Sequence, residues 1–205
     1  MIRYTTVEKE AFSEEVIQRS RFIGQIAPVS SREEAEAYIS KVRALHRTAA
    51  HHVPAYILGE KMELQWTSDD GEPQGTAGPP ILQMLAREGL TNLVCVVTRY
   101  YGGIKLGTGG LVRAYTDTAR LAMNAAGLHE VRDVTLLRVM LPYPLLGKLK
   151  NLEQELPFWI EEVSYGQDVD VTLCFEREHG EQMSGMLADL NNGMPTILAE
   201  TEKLL

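Results

Sequence analysis

The residues of this 205-residue chain best suited to chemistry lie in a glycine-rich segment, RYYGGIKLGTGG (residues 99–110), called here the glycine loop. It follows an apolar run, LVCVV, and precedes an amphipathic segment, so the sequence predicts a strand, a loop and a helix. Backbone N–H groups at the start of a helix can bind a phosphate or another anion. The glycine loop is therefore either an anion-binding site or a tight corner of the backbone.

Neither of two common nucleotide-binding fingerprints fits the glycine loop. A Walker loop requires Lys and then Ser or Thr after its second glycine, but Thr108 and Gly109 occupy those positions. The dinucleotide fingerprint fails because Val112 stands where its third glycine should be. The weaker hypothesis of nucleic-acid or anion binding remains, on Arg99, Tyr100, Tyr101, Gly102, Gly103, Lys105, Gly107, Thr108, Gly109, Gly110, Arg113 and Arg120.

The predicted helix after the glycine loop is compatible with such binding. Its polar face, by helical spacing, contains Arg113, Asp117, Arg120 and Asn124, and its opposite face contains Leu111, Tyr115, Thr118, Ala119 and Ala122. Arg99 beside two tyrosines is a combination that can stack on an unpaired base. Two alternatives stay open, an ordinary surface ion pair between Arg113 and Asp117 and core packing of one tyrosine.

A second cluster of candidate residues invites a metal or hydrolase interpretation, namely His46, His51 and His52 together with Asp69, Asp70 and Glu72. His51 and His52 are adjacent, so in a strand they face opposite sides and cannot share a site. The zinc motif HExxH is absent, and no nucleophile elbow surrounds Ser68 or Thr76, so we expect no metal and no cofactor. The segment SDDGEP is typical of a turn in which aspartates accept hydrogen bonds from backbone N–H groups.

Composition limits the class of protein. Residues 1–134 carry 15 basic and 16 acidic side chains, whereas residues 135–205 carry 5 and 12, so any contact with a polyanion belongs to the first part. No apolar run approaches the ~20 residues that span a bilayer, and the polar N-terminus is unlike a signal peptide. Cys95 and Cys174 lie in apolar runs and are expected to be buried and unpaired. We therefore expect a soluble cytoplasmic protein without a membrane contact.

Hydrophobic periodicity predicts an α+β protein with two domains, residues 1–133 and 134–205. The second domain follows the order βαββαβ, a ferredoxin-like sandwich. Its predicted strands are 134–143, 158–165, 168–176 and 196–205, and its helices are 145–156 and 179–192. The first domain has predicted strands at 21–30, 51–58, 63–70 and 92–98, with helices at 32–46, 81–89 and 109–126, and about 20 residues before its first strand.

Taken together, HHVPAY, TSDDGEPQGTAG, VVTRYYGGIKLGTGGLVRAY and the acidic second domain resemble the IMPACT/YigZ family. The resemblance implies a first domain like the second domain of a small-subunit ribosomal protein and like domain IV of elongation factor G. It implies a second domain like domain V of that factor. Eukaryotic members resemble regulators of translation that restrain an amino-acid-starvation kinase and carry an extra N-terminal RWD domain. We expect neither the RWD domain nor the kinase-pathway role in this chain.

The family pattern places the functional surface on residues 99–103 and 107–113 and on a second segment called here the acidic loop (residues 69–78). The acidic loop contributes Asp69, Asp70, Gly71, Glu72, Pro73, Gly75, Thr76 and Gly78. No catalytic residue follows from the resemblance. The leading hypothesis is a non-enzymatic RNA- or ribosome-associated protein, a regulator of translation that binds polynucleotide through its first domain.

Two alternatives stay open. The first is an enzyme acting on a small phosphorylated or acyl substrate between the two loops, with Asp69, Asp70 or Glu72 as general base and His51 or His52 as the acid. The second is a protein-interaction module, in which the acidic second domain engages a protein partner. The sequence does not specify the oligomeric state.

Overall fold

The computed structural model describes residues 2–193 and 195–205 of the chain. Its helices are α1 (Arg32–Leu45), α2 (Gly78–Arg87), α3 (Gly107–Ala126), α4 (Tyr143–Leu152) and α5 (Gly180–Asn191). Its strands are β1 (Ile2–Val7), β2 (Ala11–Ile17), β3 (Ser20–Pro28), β4 (His51–Leu58), β5 (Leu64–Thr67), β6 (Leu93–Tyr100), β7 (Leu128–Leu141), β8 (Phe158–Tyr165), β9 (Val169–Glu176) and β10 (Thr196–Leu204).

The chain divides into two compact units, Tyr4–Glu130 and a second that contains Val131–Leu205 with Ile2 and Arg3. Each unit combines helices with a sheet whose described strand pairs are antiparallel, which is consistent with the predicted α+β class. The division proposed from the sequence, after residue 133, falls inside strand β7, since β7 begins at Leu128.

The sheet of the first unit is covered by helices on both faces. Its strand order is β2-β3-β6-β4-β5, with β6 in the centre. Leu93, Cys95 and Val97 of β6 join the core formed with α2 and α3, whereas Val94 and Val96 join the core formed with α1. This burial on both faces explains why β6 is a continuous apolar run in the sequence instead of an alternating one.

The sequence-based expectation of about 20 residues before the first strand is wrong, because β1 and β2 lie there. Strand β2 was missed because its alternation is inverted. Phe12 and Val16 face solvent, while Ser13 turns inward and donates a hydrogen bond to the carbonyl of Thr118 at 3.1 Å. Since β2 is an edge strand that buries polar residues against α3, hydrophobic periodicity does not mark its buried face.

The second unit confirms the predicted order βαββαβ, here β7-α4-β8-β9-α5-β10. The strands lie side by side in the order β10-β7-β9-β8, with β1 also beside β7. The alternation predicted for β9 is confirmed, since its core residues are Val169, Val171, Leu173 and Phe175. The predicted end of the second helix is also confirmed, because Asn192 follows α5 in the left-handed conformation, with φ of 52°.

Both cysteines are buried and unpaired, as expected from their apolar surroundings. Burial raises the pKa of the Cys95 thiol to about 12, so this group behaves as a small apolar side chain at neutral pH. Among the helices in the described part of the chain, none is long and apolar enough to cross a membrane.

The glycine loop passes unusually close to the turn between β2 and β3. The N–H of Gly102 donates to the Ser20 hydroxyl at 3.2 Å. A Cβ built on Gly102 would overlap the Arg19 carbonyl group and lie 2.6 Å from the Ser20 nitrogen. A Cβ built on Gly109, in the first turn of α3, would meet nothing within 4 Å. Gly102 is therefore required by packing, and Gly109 is not.

We expect Gly102→Ala to lower the free energy of unfolding by about 2–3 kcal/mol, because the overlapping atoms belong to the backbone and cannot move aside. Gly109→Ala is the matched control, and it should leave stability unchanged or raise it by about 0.5 kcal/mol. Urea unfolding followed by circular dichroism measures both. Equal urea midpoints for the two variants would show that the close approach at Gly102 does not contribute to the free energy of unfolding.

Candidate functional site

Asp69 holds the acidic loop and the start of α2 together. Its carboxylate accepts hydrogen bonds from the N–H groups of Gly75 at 2.8 Å, Ala77 at 3.0 Å and Gly78 at 2.9 Å. The last two N–H groups lie at the beginning of α2, where helical partners are lacking. The predicted turn, in which aspartate side chains accept hydrogen bonds from backbone N–H groups, is therefore confirmed. Both oxygens of the Asp69 carboxylate accept such bonds.

Asp70 ties the acidic loop to α1 and β4. Its carboxylate accepts a hydrogen bond from the N–H of His52 at 2.7 Å and one from Arg43 Nη2 at 2.8 Å. Asp70 and Gly71 both adopt positive φ, of 46° and 86°. This pair of left-handed residues turns the chain so that the next side chain, Glu72, points inward.

Glu72 is the centre of the site. Its Oε1 accepts a hydrogen bond from Arg99 Nη1 at 2.6 Å and another from the Tyr115 hydroxyl at 2.6 Å. The side chains of Glu72 and Arg99 are only 4% and 5% exposed. One carboxylate oxygen thus joins the acidic loop, strand β6 and helix α3. Because both charges are buried, removing either one would leave the other unpaired.

The neighbours of this ion pair keep it intact. Burial, followed by the hydrogen bond to Glu72, raises the pKa of Tyr115 far above its ordinary value, so its hydroxyl remains a donor at all physiological pH values. Arg99 Nη2 donates to the Ser20 hydroxyl at 3.3 Å. The Arg99 guanidinium also lies 5.4 Å from the centre of the Phe22 ring and 5.2 Å from that of Tyr101, both within cation–π range.

The two adjacent histidines face opposite sides of β4, as predicted. His51 Nε2 lies 3.7 Å from Glu72 Oε1, and His51 Nδ1 lies 2.8 Å from the carbonyl oxygen of Asp70. Since a carbonyl only accepts, Nδ1 carries the proton and Nε2 of the neutral ring is an acceptor. His52 instead directs its Nε2 to the carbonyl of His46, at 3.0 Å. Only His51 joins Glu72.

A cavity of about 480 Å³ lies over the Glu72–Arg99 pair. Its polar and aromatic lining consists of His51, Glu72, Arg99, Tyr101, Lys105 and Thr108. The Tyr101 side chain is 49% exposed, and Lys105 is exposed at the rim. Helix α3 begins at Gly107 without a side-chain cap, so the positive end of its dipole opens toward the same cavity. The cavity can therefore receive a flat ring and an anionic group together.

The structure separates the candidate cations into different environments. Arg99 is buried and paired, and Arg120 pairs with Glu88 at 2.6 Å on the surface of α3. Lys105 and Arg113 are exposed and make no ion pair with the described residues. The predicted faces of α3 are confirmed, since Leu111, Tyr115, Thr118, Ala119 and Ala122 are all buried.

Tyr100 and Tyr101 of the glycine loop also lie in different environments. Tyr100 is half-buried, its hydroxyl lies 3.0 Å from His46 Nδ1, and the Arg21 guanidinium lies 5.4 Å from its ring centre. Tyr101 is the one whose ring reaches the cavity. Sequence reasoning missed Tyr115 as a polar partner, because its position on the apolar face of α3 gave no sign of Glu72. Within residues 2–193 and 195–205, no group of three or more His, Cys, Asp or Glu residues is arranged to hold a metal ion.

Comparisons with known proteins agree on one family. The model of the Impact N-terminal domain matches residues 18–123. IMPACT family member YvyE of Bacillus subtilis is 38% identical over 95% of this chain and 89% of its own length. IMPACT family member YigZ of Escherichia coli is 35% identical over 92% of this chain and 93% of its own. A crystal structure of a hypothetical protein is 33% identical, with a TM-score of 0.61 over 96% of both chains.

Proposed function

Because this chain belongs to the IMPACT family, we propose that it is a non-enzymatic RNA- or ribosome-associated protein that takes part in the regulation of translation. In this proposal the unit Tyr4–Glu130 binds single-stranded RNA at the cavity. The observation that carries the proposal is the cavity itself, whose lining combines an exposed aromatic ring, a lysine and the uncapped start of a 20-residue helix.

The chemistry of the cavity suits an unpaired nucleotide. Single-stranded nucleic acids bind where an aromatic ring can stack on a base and positive charge follows the phosphates. Tyr101 supplies the ring, and Lys105 with the N–H groups at the start of α3 supplies the anion site. Arg113, exposed about two turns into α3, extends the positive charge along a bound strand. The glycines at 107 and 109 let a backbone phosphate approach closely.

The uneven charge of the chain assigns different roles to the two units in this proposal. Residues 135–205 carry 5 basic and 12 acidic side chains, so the second unit repels a polyanion. We propose that it engages a protein partner, in the cytoplasm. The likeness of the units to domains IV and V of elongation factor G belongs to the proposal as well, and it is an argument from fold alone.

We expect the full chain to bind a fluorescein-labelled single-stranded RNA at low salt and Lys105→Ala to weaken this binding. The loss of one phosphate contact should lower the slope of log affinity against log salt by about 0.7. Tyr101→Ala should weaken binding about tenfold through the lost stacking. Fluorescence anisotropy at several salt concentrations measures both.

Lys61→Ala is the matched control, because Lys61 is equally exposed but lies in the turn after β4, at the far end of that strand from His51. It removes the same charge from the same unit and should leave affinity and salt slope close to those of the native chain. Absence of binding at low salt, or equal losses in Lys105→Ala and Lys61→Ala, would refute RNA binding at the cavity.

One observation favours a second candidate function, an enzyme acting on a small phosphorylated or acyl substrate. His51 Nε2 lies 3.7 Å from Glu72 Oε1, and a His51 ring protonated at Nε2 could act as the acid beside Glu72 as the base. The other candidates named from the sequence are occupied elsewhere. Asp69 and Asp70 are bonded to backbone N–H groups, and His52 faces the His46 carbonyl. The hydroxyls of Ser68 and Thr76 are bonded to the Asp70 N–H and the Pro73 carbonyl.

Hydrolysis assays with p-nitrophenyl phosphate and p-nitrophenyl acetate separate the two candidates. The RNA-binding proposal predicts that the native chain and His51→Ala give the same background rate with both compounds. A rate above background that His51→Ala abolishes and Lys61→Ala preserves would establish the enzyme in its place.

A further inference from the structure

We propose that the cavity receives one unpaired guanine base and that Glu72 and His51 recognise its Watson–Crick edge. This inference rests on the proposed RNA-binding function and adds a base preference to it. Two acceptor atoms of residues that line the cavity, Glu72 Oε2 and His51 Nε2, receive no hydrogen bond from the described part of the fold.

The first acceptor is the second carboxylate oxygen of Glu72. Both hydrogen bonds to this carboxylate, from Arg99 and Tyr115, go to Oε1. Across the described part of the chain no residue donates to Oε2, and Oε2 is not among the unpartnered atoms that are sealed from solvent. Glu72 is 91% buried and lines the cavity. An ionised oxygen in such surroundings is stabilised by any ligand that brings an N–H donor.

The second acceptor is Nε2 of His51. The hydrogen bond from Nδ1 to the Asp70 carbonyl fixes the orientation of the His51 ring. Nε2 then carries a lone pair and lies 3.7 Å from Glu72 Oε1. The cavity lining thus contains two acceptors, Glu72 Oε2 and His51 Nε2, on side chains that lie next to each other. A complementary ligand carries two neighbouring donors.

Guanine is the RNA base that meets this requirement. Its Watson–Crick edge places the N1–H and N2–H₂ donors side by side, whereas adenine, cytosine and uracil each place an acceptor next to their single donor group. An acceptor facing the Glu72 carboxylate would be repelled and would leave it without a partner. Tyr101, which also lines the cavity, offers a ring for stacking, and Lys105 with the start of α3 offers a phosphate site.

The volume of about 480 Å³ lies within the range of pockets that hold small ligands, about 300–1,000 Å³, so one nucleotide can enter. A guanine in a strand of RNA and a free guanine nucleotide share the same base edge. The two sources are distinguished experimentally by comparing oligonucleotides with mononucleotides.

The decisive comparison uses the native full chain and changes only the ligand. Isothermal titration with 5′-GMP, 5′-IMP and 5′-AMP at low salt should show GMP binding about tenfold tighter than IMP, which lacks the N2 amino group, and tighter still than AMP. A 12-nucleotide oligouridine with one central guanosine should bind about tenfold tighter than the same strand with inosine at that position. Glu72→Gln, checked for folding by circular dichroism, should abolish the difference, and Lys61→Ala should preserve it.

The possible results separate this inference from the proposed function. RNA binding with equal affinity for guanosine and inosine strands would overturn the guanine pocket and leave RNA binding in place. Preference for GMP over IMP without binding of any oligonucleotide would overturn the RNA function and establish a mononucleotide pocket. Should Glu72→Gln fail to fold, the comparison of GMP with IMP on the native chain still decides the matter.

Discussion

The buried ion pair between Glu72 and Arg99 is the contact through which the acidic loop, strand β6 and helix α3 hold one another in place. Two charges that are almost fully removed from water are stable only with close geometry and further hydrogen bonds, which Tyr115 and Ser20 supply. Loss of one partner from such a pair typically costs about 3–5 kcal/mol. The two segments that carry the family resemblance are therefore physically a single structure, joined at one carboxylate oxygen.

This pairing determines which charges face the cavity. Arg99 is the first residue of the glycine loop, but its charge is neutralised by Glu72, so Lys105 and the start of α3 provide the positive potential at the surface. Arg99 then serves as a positioning residue in the proposed function. Its hydrogen bond occupies Glu72 Oε1, which leaves Oε2 for a ligand, and its guanidinium lies against the Tyr101 ring.

Much of the fold could be predicted from the sequence, because the core follows simple periodicities. The alternation of β9, the two apolar faces of β6 and the amphipathic α3 all bury the residues that their spacing indicates. Strand β2 could not be predicted, since its apolar side chains Phe12 and Val16 face solvent while polar Ser13 and Glu15 turn inward. The site was predictable only in its parts. Glu72 is hydrogen-bonded to Arg99, 27 positions away in the sequence, and to Tyr115, 43 positions away. No local spacing in the sequence reveals which cation pairs with which acid.

Cross-linking would locate RNA on the protein and so measure whether it binds at this cavity, as proposed. The full chain would be irradiated with a single-stranded RNA containing 4-thiouridine, digested with trypsin and analysed by mass spectrometry. Binding at the cavity predicts adducts in the peptides YYGGIK and LGTGGLVR (residues 100–105 and 106–113), which contain Tyr101 and the start of α3. Adducts confined to residues 131–205, or none in the glycine loop, would contradict it.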